Sequence, residues 1–282
     1  MPLTLMYITK NPKVATIAQK AGVDRIWVDL EYIGKEERQK GMNTVKSFHT
    51  IGDVRILRSV ATRSQLMVRV NPWHCATDAY GSSEEEIDAV LATGADVIML
   101  PYFKTKMEVE NFIRCVNGRA LAMILVETAE AVANIDEILS VPGIDEVHIG
   151  LNDLHLAYGM KFMFELLADG TVEKLCKKIA AKKIKYGFGG IARVGYGILP
   201  AEYIMGEHYR LGSTLAILSR GFCDANIVSD PSTIEKIFIE GVENIRKKEK
   251  ELAHLSPEQF AENRRIVAEK VRKIVKSKES LG

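Results

Sequence analysis

Long apolar runs are missing from this 282-residue chain. No stretch approaches the roughly eighteen apolar residues of a membrane span. The opening MPLTLMYITKNP also lacks a basic segment followed by an apolar one of the secretory kind. The expectation is a cytoplasmic protein with no membrane contact. Charge of one sign is missing too: Lys plus Arg is 38 against 37 for Asp plus Glu, so the net charge of +1 gives no global basic field to recruit nucleic acid. Cysteine is sparse. Cys75, Cys115, Cys176 and Cys223 lie 40 or more residues apart and form no CxxC pair, which excludes a zinc knuckle or a disulfide framework and suits a reducing compartment. What is present, 47% hydrophobic and 27% charged residues, is enough to bury a large core.

Short β-branched apolar runs recur, each followed by a helix-like segment. The spacing predicts strands at 3–9, 25–30, 66–70, 97–101, 121–127, 146–150, 186–191 and 209–212. Between them KVATIAQKAG, EEEIDAVLATG, KMEVENFIRCVNG and AEAVANIDEILSVPG carry apolar residues at three- and four-residue spacing. These segments close on Gly22, Gly94, Gly118 and Gly143. Ser83 with Glu86 has the form of a capping box. Eight parallel strands with crossover helices permit a doubly wound sheet or a closed barrel, and the count favours the α/β (β/α)8 TIM barrel, over residues 1–222. Residues 223–282 read as a C-terminal helical extension, with helices near 232–250 and 257–276, the second opened by Ser256, Pro257 and Gln259. Its basic excess, 11 Lys or Arg against 5 Asp or Glu over 246–278, reads as a solvated face. Phe260, Val267, Val271 and Ile274 form an apolar stripe too narrow to be a core, so they need a cover: this barrel's own helices or a neighbouring subunit.

In such a barrel, chemistry belongs at the carboxyl ends of the strands. Strand two ends in VDLEY, which places Asp29 and Glu31 on one side. Strand three supplies Arg69 in VRVNP, strand five Glu127 in LVETAEA, and strand six Asp153 in IGLNDLHLAYG. Carboxylates from adjacent strands make a hard-oxygen site suited to Mg²⁺ or Mn²⁺, completed by water or substrate oxygens. An Arg beside it offers a planar fork for a substrate carboxylate, and metal and Arg together would stabilise an enolate.

The order VDLE, VRVNP, GADVIMLPYFKT, LVETAEAV, IGLNDLHLAYG and LGSTLAIL resembles the HpcH/HpaI aldolase and citrate lyase β-subunit family of phosphoenolpyruvate/pyruvate barrels. The resemblance implies an enzyme that makes or breaks a carbon bond beside an enolate with a divalent metal. It implies Glu127 and Asp153 as metal ligands, Arg69 holding the 2-oxo acid, and the amides around Asn152 and Asp153 receiving its carboxylate. Asp29 and Glu31 would hold metal-bound water or shape the site. The family's exchange of C-terminal helices between subunits would make a homo-oligomer and cover the apolar stripe. The chain departs from the family at the usual acid/base pair, a His after DxE and an acidic partner in the helix before strand four; those places read as Tyr32 and Ala92.

Replacement proton carriers are His74, five residues past Arg69, and His155, two past Asp153. His148 reads as a core or supporting residue, and His49, His208 and His254 have no supporting constellation. The glycines of GFGGIARVGYG, with Arg193, Gly212 and Ser213, read either as a tight turn or as an anion site after strands seven and eight. The expected function is a metal-dependent lyase of the aldolase type, joining or cleaving a 2-oxo acid and an aldehyde or acyl partner. The alternatives are phosphoenolpyruvate, oxaloacetate or acyl-CoA chemistry on the same enolate, or a catalytically lapsed binding subunit.

Overall fold

The computed structural model describes residues 2–35, 49–225 and 227–280. Its eight strands are β1 (Thr4–Ile8), β2 (Arg25–Asp29), β3 (Gln65–Arg69), β4 (Val97–Leu100), β5 (Leu121–Val126), β6 (Glu146–Ile149), β7 (Lys185–Ile191) and β8 (Leu215–Leu218). Each pairs in parallel with the next, and β8 returns to β1, closing a (β/α)8 barrel. The crossover helices are α1 (Pro12–Lys20), α2 (Ile51–Val60), α3 (Ser83–Leu91), α4 (Lys106–Val116), α5 (Ala129–Ala133), α6 (Ile135–Ile138), α7 (Leu151–Ala157), α8 (Glu165–Ala168), α9 (Thr171–Ala181) and α10 (Ala201–Arg210). Two longer helices follow, α11 (Pro231–Leu252) and α12 (Pro257–Glu279). No helix among the described residues is long and apolar enough to cross a membrane.

Local signals explain most boundaries. Asn11 caps α1 with Pro12 at its first position, while Thr105 with Glu108 and Ser256 with Gln259 form capping boxes. Two expectations need correction. The capping box of α3 is Ser82 with Glu85, one residue earlier than expected. The eighth strand is Leu215–Leu218 and not 209–212, because Tyr209 and Arg210 finish α10 and Gly212 turns the chain at φ +70°. Gly212 and Ser213 therefore precede β8, at the end of the barrel opposite the strand carboxyl ends. They are not part of an anion site there.

Side chains alternate along each strand, so one set fills the barrel and the other meets the helices. Inside lie Met6, Trp27, Met67, Val97, Met99, Met123, Leu125 and Leu215. Below them, Arg25 of β2 reaches straight across to Glu146 of β6 with both guanidinium ends, at 2.5 and 2.8 Å. Neither residue is more than 4% exposed.

The segment after β8 is tightly joined to the barrel. Phe238 of α11 meets Tyr7 edge-on at 4.8 Å, and Arg246 donates to Leu3 O and to Asp24. Helix α12 lies on α10 and α8. Val267 and Val271 are buried there, Ile274 is partly buried, and Asn263 donates to Tyr203 O and to Glu207 Oε1. Of the two covers open to the apolar stripe, the chain's own helices supply one, so the stripe does not by itself call for a neighbouring subunit.

His208 of α10 stacks flat on Phe188 of β7, centroids 3.9 Å apart, with Ser213 Oγ 2.7 Å from its Nδ1. Burial holds the pKa of His208 down to about 3 and that of His148 down to about 4. Both pKa values are depressed below the unfolded value of about 6.5, so stability is greatest above that pH and is lost as pH falls through the folded values. Between pH 7 and 5 the unfolded chain takes up protons that the folded chain refuses, at a cost of about 2 kcal/mol per histidine. His208→Asn is expected to remove about half of this pH dependence in urea unfolding at the two pH values. An unchanged dependence would contradict the assignment.

Candidate active site

The strand carboxyl ends open into a cavity of about 590 Å³. Asp29, Arg69, Glu127, Asn152 and Asp153 all line it, so four separate strand ends contribute. Glu127 follows the inward series Met123, Leu125 and is buried, and its Oε1 accepts the backbone N–H of Tyr102 at 3.1 Å. Tyr102 holds the left-handed conformation, φ +50°, that aims this N–H. Across the next strand stands Gly150, where a Cβ would sit 2.7 Å from Glu127 Cβ and 2.8 Å from its Oε2. Only glycine leaves room for this carboxylate. Asp153 sits half-buried in the first turn of α7.

Arg69 is committed differently from expectation. Its Nε and Nη2 grip Asp29 at 2.8 Å each, and Nη2 lies 3.1 Å from Glu31. The planar fork expected to hold the substrate is therefore used by Asp29, and Nη1 is the nitrogen outside these contacts. Lys35, buried, completes the cluster at 2.9 Å from Asp29 and 3.5 Å from Glu31. Burial pushes the Asp29 pKa up, but Arg69 and then Lys35 outweigh it and hold the carboxyl well below the usual range. Burial likewise opposes the charge on Arg69, yet Asp29 and Glu31 raise its pKa well above normal. Asp29 and Glu31 thus fix the guanidinium under the mouth.

The two expected proton carriers do not line the cavity. The His74 ring is tied between Pro72 O (2.7 Å) and Gly81 O (3.0 Å), and its backbone pairs with Ser83, so it fastens the loop to α3. The His155 ring turns back onto its own helix, 3.1 Å from Leu151 O and 2.5 Å from Asn152 O. Arg193 is also outside the cavity, with its guanidinium 4.1 Å over the Tyr196 ring. Ala92 caps the end of α3 remote from the mouth; the acidic residue near the mouth is Glu86, which holds Asn71. Tyr32 is 52% exposed and does not line the cavity either.

Three lining residues carry no usable sequence signal: Trp27, His49 and His148. His49 Nδ1 accepts the Asp29 N–H at 3.0 Å, so the neutral ring carries its proton on Nε2. Burial lowers its pKa, against the pull of Asp29. His148 donates from Nε2 to Gly189 O at 3.1 Å. Among the described residues no three His, Cys, Asp or Glu side chains form a complete metal cage. A cation here would rest on Glu127 and Asp153 with water or substrate oxygens.

The HpcH/HpaI aldolase/citrate lyase family model matches residues 3–166. A hydroxypyruvate/pyruvate aldolase of Rhizorhabdus wittichii is 59% identical over 81 residues, 26% of this chain and 32% of that protein. The match thus spans about a third of that relative's length. The fold is shared with an HpcH/HpaI aldolase of Desulfitobacterium hafniense at TM-score 0.61 and 18% identity, covering 91% of this chain and 95% of that one. It is shared too with the citrate synthase SbnG, at TM-score 0.61 and 16% identity, covering 83% and 94%. A barrel whose strand ends bring Asp29, Arg69, Glu127 and Asp153 to one cavity, matched by that model over more than half its length, belongs to the HpcH/HpaI aldolase/citrate lyase family.

Proposed function

We propose that this member of an aldolase and lyase family is a divalent-metal-dependent carbon–carbon lyase acting through the enolate of pyruvate or a related 2-oxo acid. The observation that carries the proposal is Glu127, held by Tyr102 and given room by Gly150, on the same cavity as Asp153 and Arg69. Two carboxylates without thiolate fit Mg²⁺ or Mn²⁺. When bound, such an ion polarises the keto oxygen and stabilises the charge that gathers on it.

The remaining work falls to the chain itself. Arg69, kept charged and rigid by Asp29 and Glu31, offers Nη1 and its positive field to the substrate carboxylate. Asn152 and Asp153 line the same cavity. His49, neutral and protonated on Nε2, can donate to an oxygen that becomes negative, and its engaged Nδ1 keeps it from acting as the base.

Arg69→Lys tests the anchor. A lysine keeps the charge but cannot grip Asp29 at two points and still reach the substrate. Affinity for pyruvate or oxalate, measured by calorimetry with Mg²⁺ present, is expected to fall about tenfold or more. Affinity equal to wild type would confine Arg69 to a structural role.

A further inference from the structure

The connection between α7 and α8 brings one more side chain to the cavity, Met163, on the same lining as Asn152 and Asp153. Met163 is half-buried. Its neighbours Phe162 and Phe164 are 5% and 7% exposed and meet edge-on at 5.3 Å, so the chain is anchored in the core on both sides of it. Glu165 tightens the same turn, accepting the N–H groups of Lys161 and Phe162 on Oε1 at 2.8 Å each.

The far end of the chain holds this connection from outside. Lys278, in the last turn of α12, donates from Nζ to Lys161 O at 2.8 Å and stands 5.1 Å over the Phe162 ring. Glu279 meets Lys161 Nζ at 3.0 Å, and α12 packs on α8 just beyond. Exposed ion pairs add little to global stability, but these contacts act on the two residues next to one that lines the cavity. Their consequence is local position.

A cavity of about 590 Å³ lies in the range that takes drug-sized ligands, so a three-carbon acid leaves much of it unfilled. Joining such an acid to a carbonyl partner makes a longer 2-oxo acid, whose tail needs that space. An unbranched, polarisable thioether side chain adapts to an apolar tail. We infer that Met163 is a specificity-determining residue for the part of the substrate beyond the 2-oxo acid group, and that Lys278 and Glu279 are the residues that position it. The choice of acid rests on the function proposed above; the positioning rests on the contacts of α12 alone.

The test is calorimetry of pyruvate and 2-oxohexanoate with Mg²⁺ and the full chain, read as the ratio of the two affinities. Wild type is expected to favour the longer acid about tenfold, the gain from burying its added methylenes. Met163→Ala should lower that ratio by at least about threefold. Lys278→Ala combined with Glu279→Ala should lower it in the same direction, whereas Lys278→Arg, which keeps a cation and a donor, should hold it. A wild-type ratio at or below one, or a ratio that Met163→Ala leaves unchanged, would overturn the role of Met163. A drop in Met163→Ala alone would overturn the positioning by α12. Amide hydrogen exchange across residues 159–165 checks that positioning without any ligand: it should quicken about threefold or more in the double variant, and equal exchange would contradict it. If wild type binds neither acid, the proposed function fails and the role of Met163 with it, while the exchange rates still decide the positioning.

Discussion

Glu127→Gln is expected to lower Mg²⁺ or Mn²⁺ affinity by at least about 100-fold, since loss of a residue that merely supports a metal ligand already costs 10- to 100-fold. Turnover of any 2-oxo acid should fall with it. The fold should survive, because the Gln amide keeps an oxygen to accept the Tyr102 N–H and has the same shape beside Gly150. Calorimetry for the ion and thermal melting for the fold separate the two effects. An unchanged affinity would remove Glu127 from the ligand set.

Glu146→Ala should produce the largest loss of stability. It strips Arg25 of both carboxylate contacts and leaves a guanidinium in the barrel whose remaining partner among the described residues is Gln65 Oε1 at 2.8 Å. Breaking a buried pair from one side costs roughly 3–5 kcal/mol. Replacing both partners, as in Arg25→Met with Glu146→Leu, should recover most of that, because no charge is then stranded. Urea unfolding of the three proteins is the check. A single substitution costing under about 1 kcal/mol would mean that water reaches the pair.

Seven of the eight strands were legible because each is a short, largely apolar run set off from helix-like segments. The eighth, LAIL, is a four-residue run, and periodicity alone cannot distinguish a short buried strand from part of a helix. Its neighbour YRLG looked more strand-like but ends α10. The capping box slipped by one for a different reason. In SSEEE both Ser82 with Glu85 and Ser83 with Glu86 have the required spacing. The fold uses the first pair, leaving Ser83 for His74 and Glu86 for Asn71.

The charged part of the site was legible for a similar reason, since Asp29, Arg69 and Glu127 continue the inward alternation of their strands. His74 and His155 were misplaced because loop position does not tell where a ring points; both rings are satisfied by nearby carbonyls. His148 reads as a core or supporting residue and Trp27 offers no signal; closure of the barrel puts both on the cavity lining. His49, just ahead of α2, carries no local pattern that would place it at the cavity.

The most direct measurement is exchange of pyruvate methyl protons with deuterated water, followed by NMR, on the wild-type protein with Mg²⁺ or Mn²⁺ and again after chelation. It isolates enolate formation from any second substrate. The expected result is exchange with the ion present that stops on chelation and returns when the ion is restored. Absence of exchange from pyruvate and oxaloacetate under both conditions, or exchange indifferent to chelation, would contradict a metal-dependent enolate lyase.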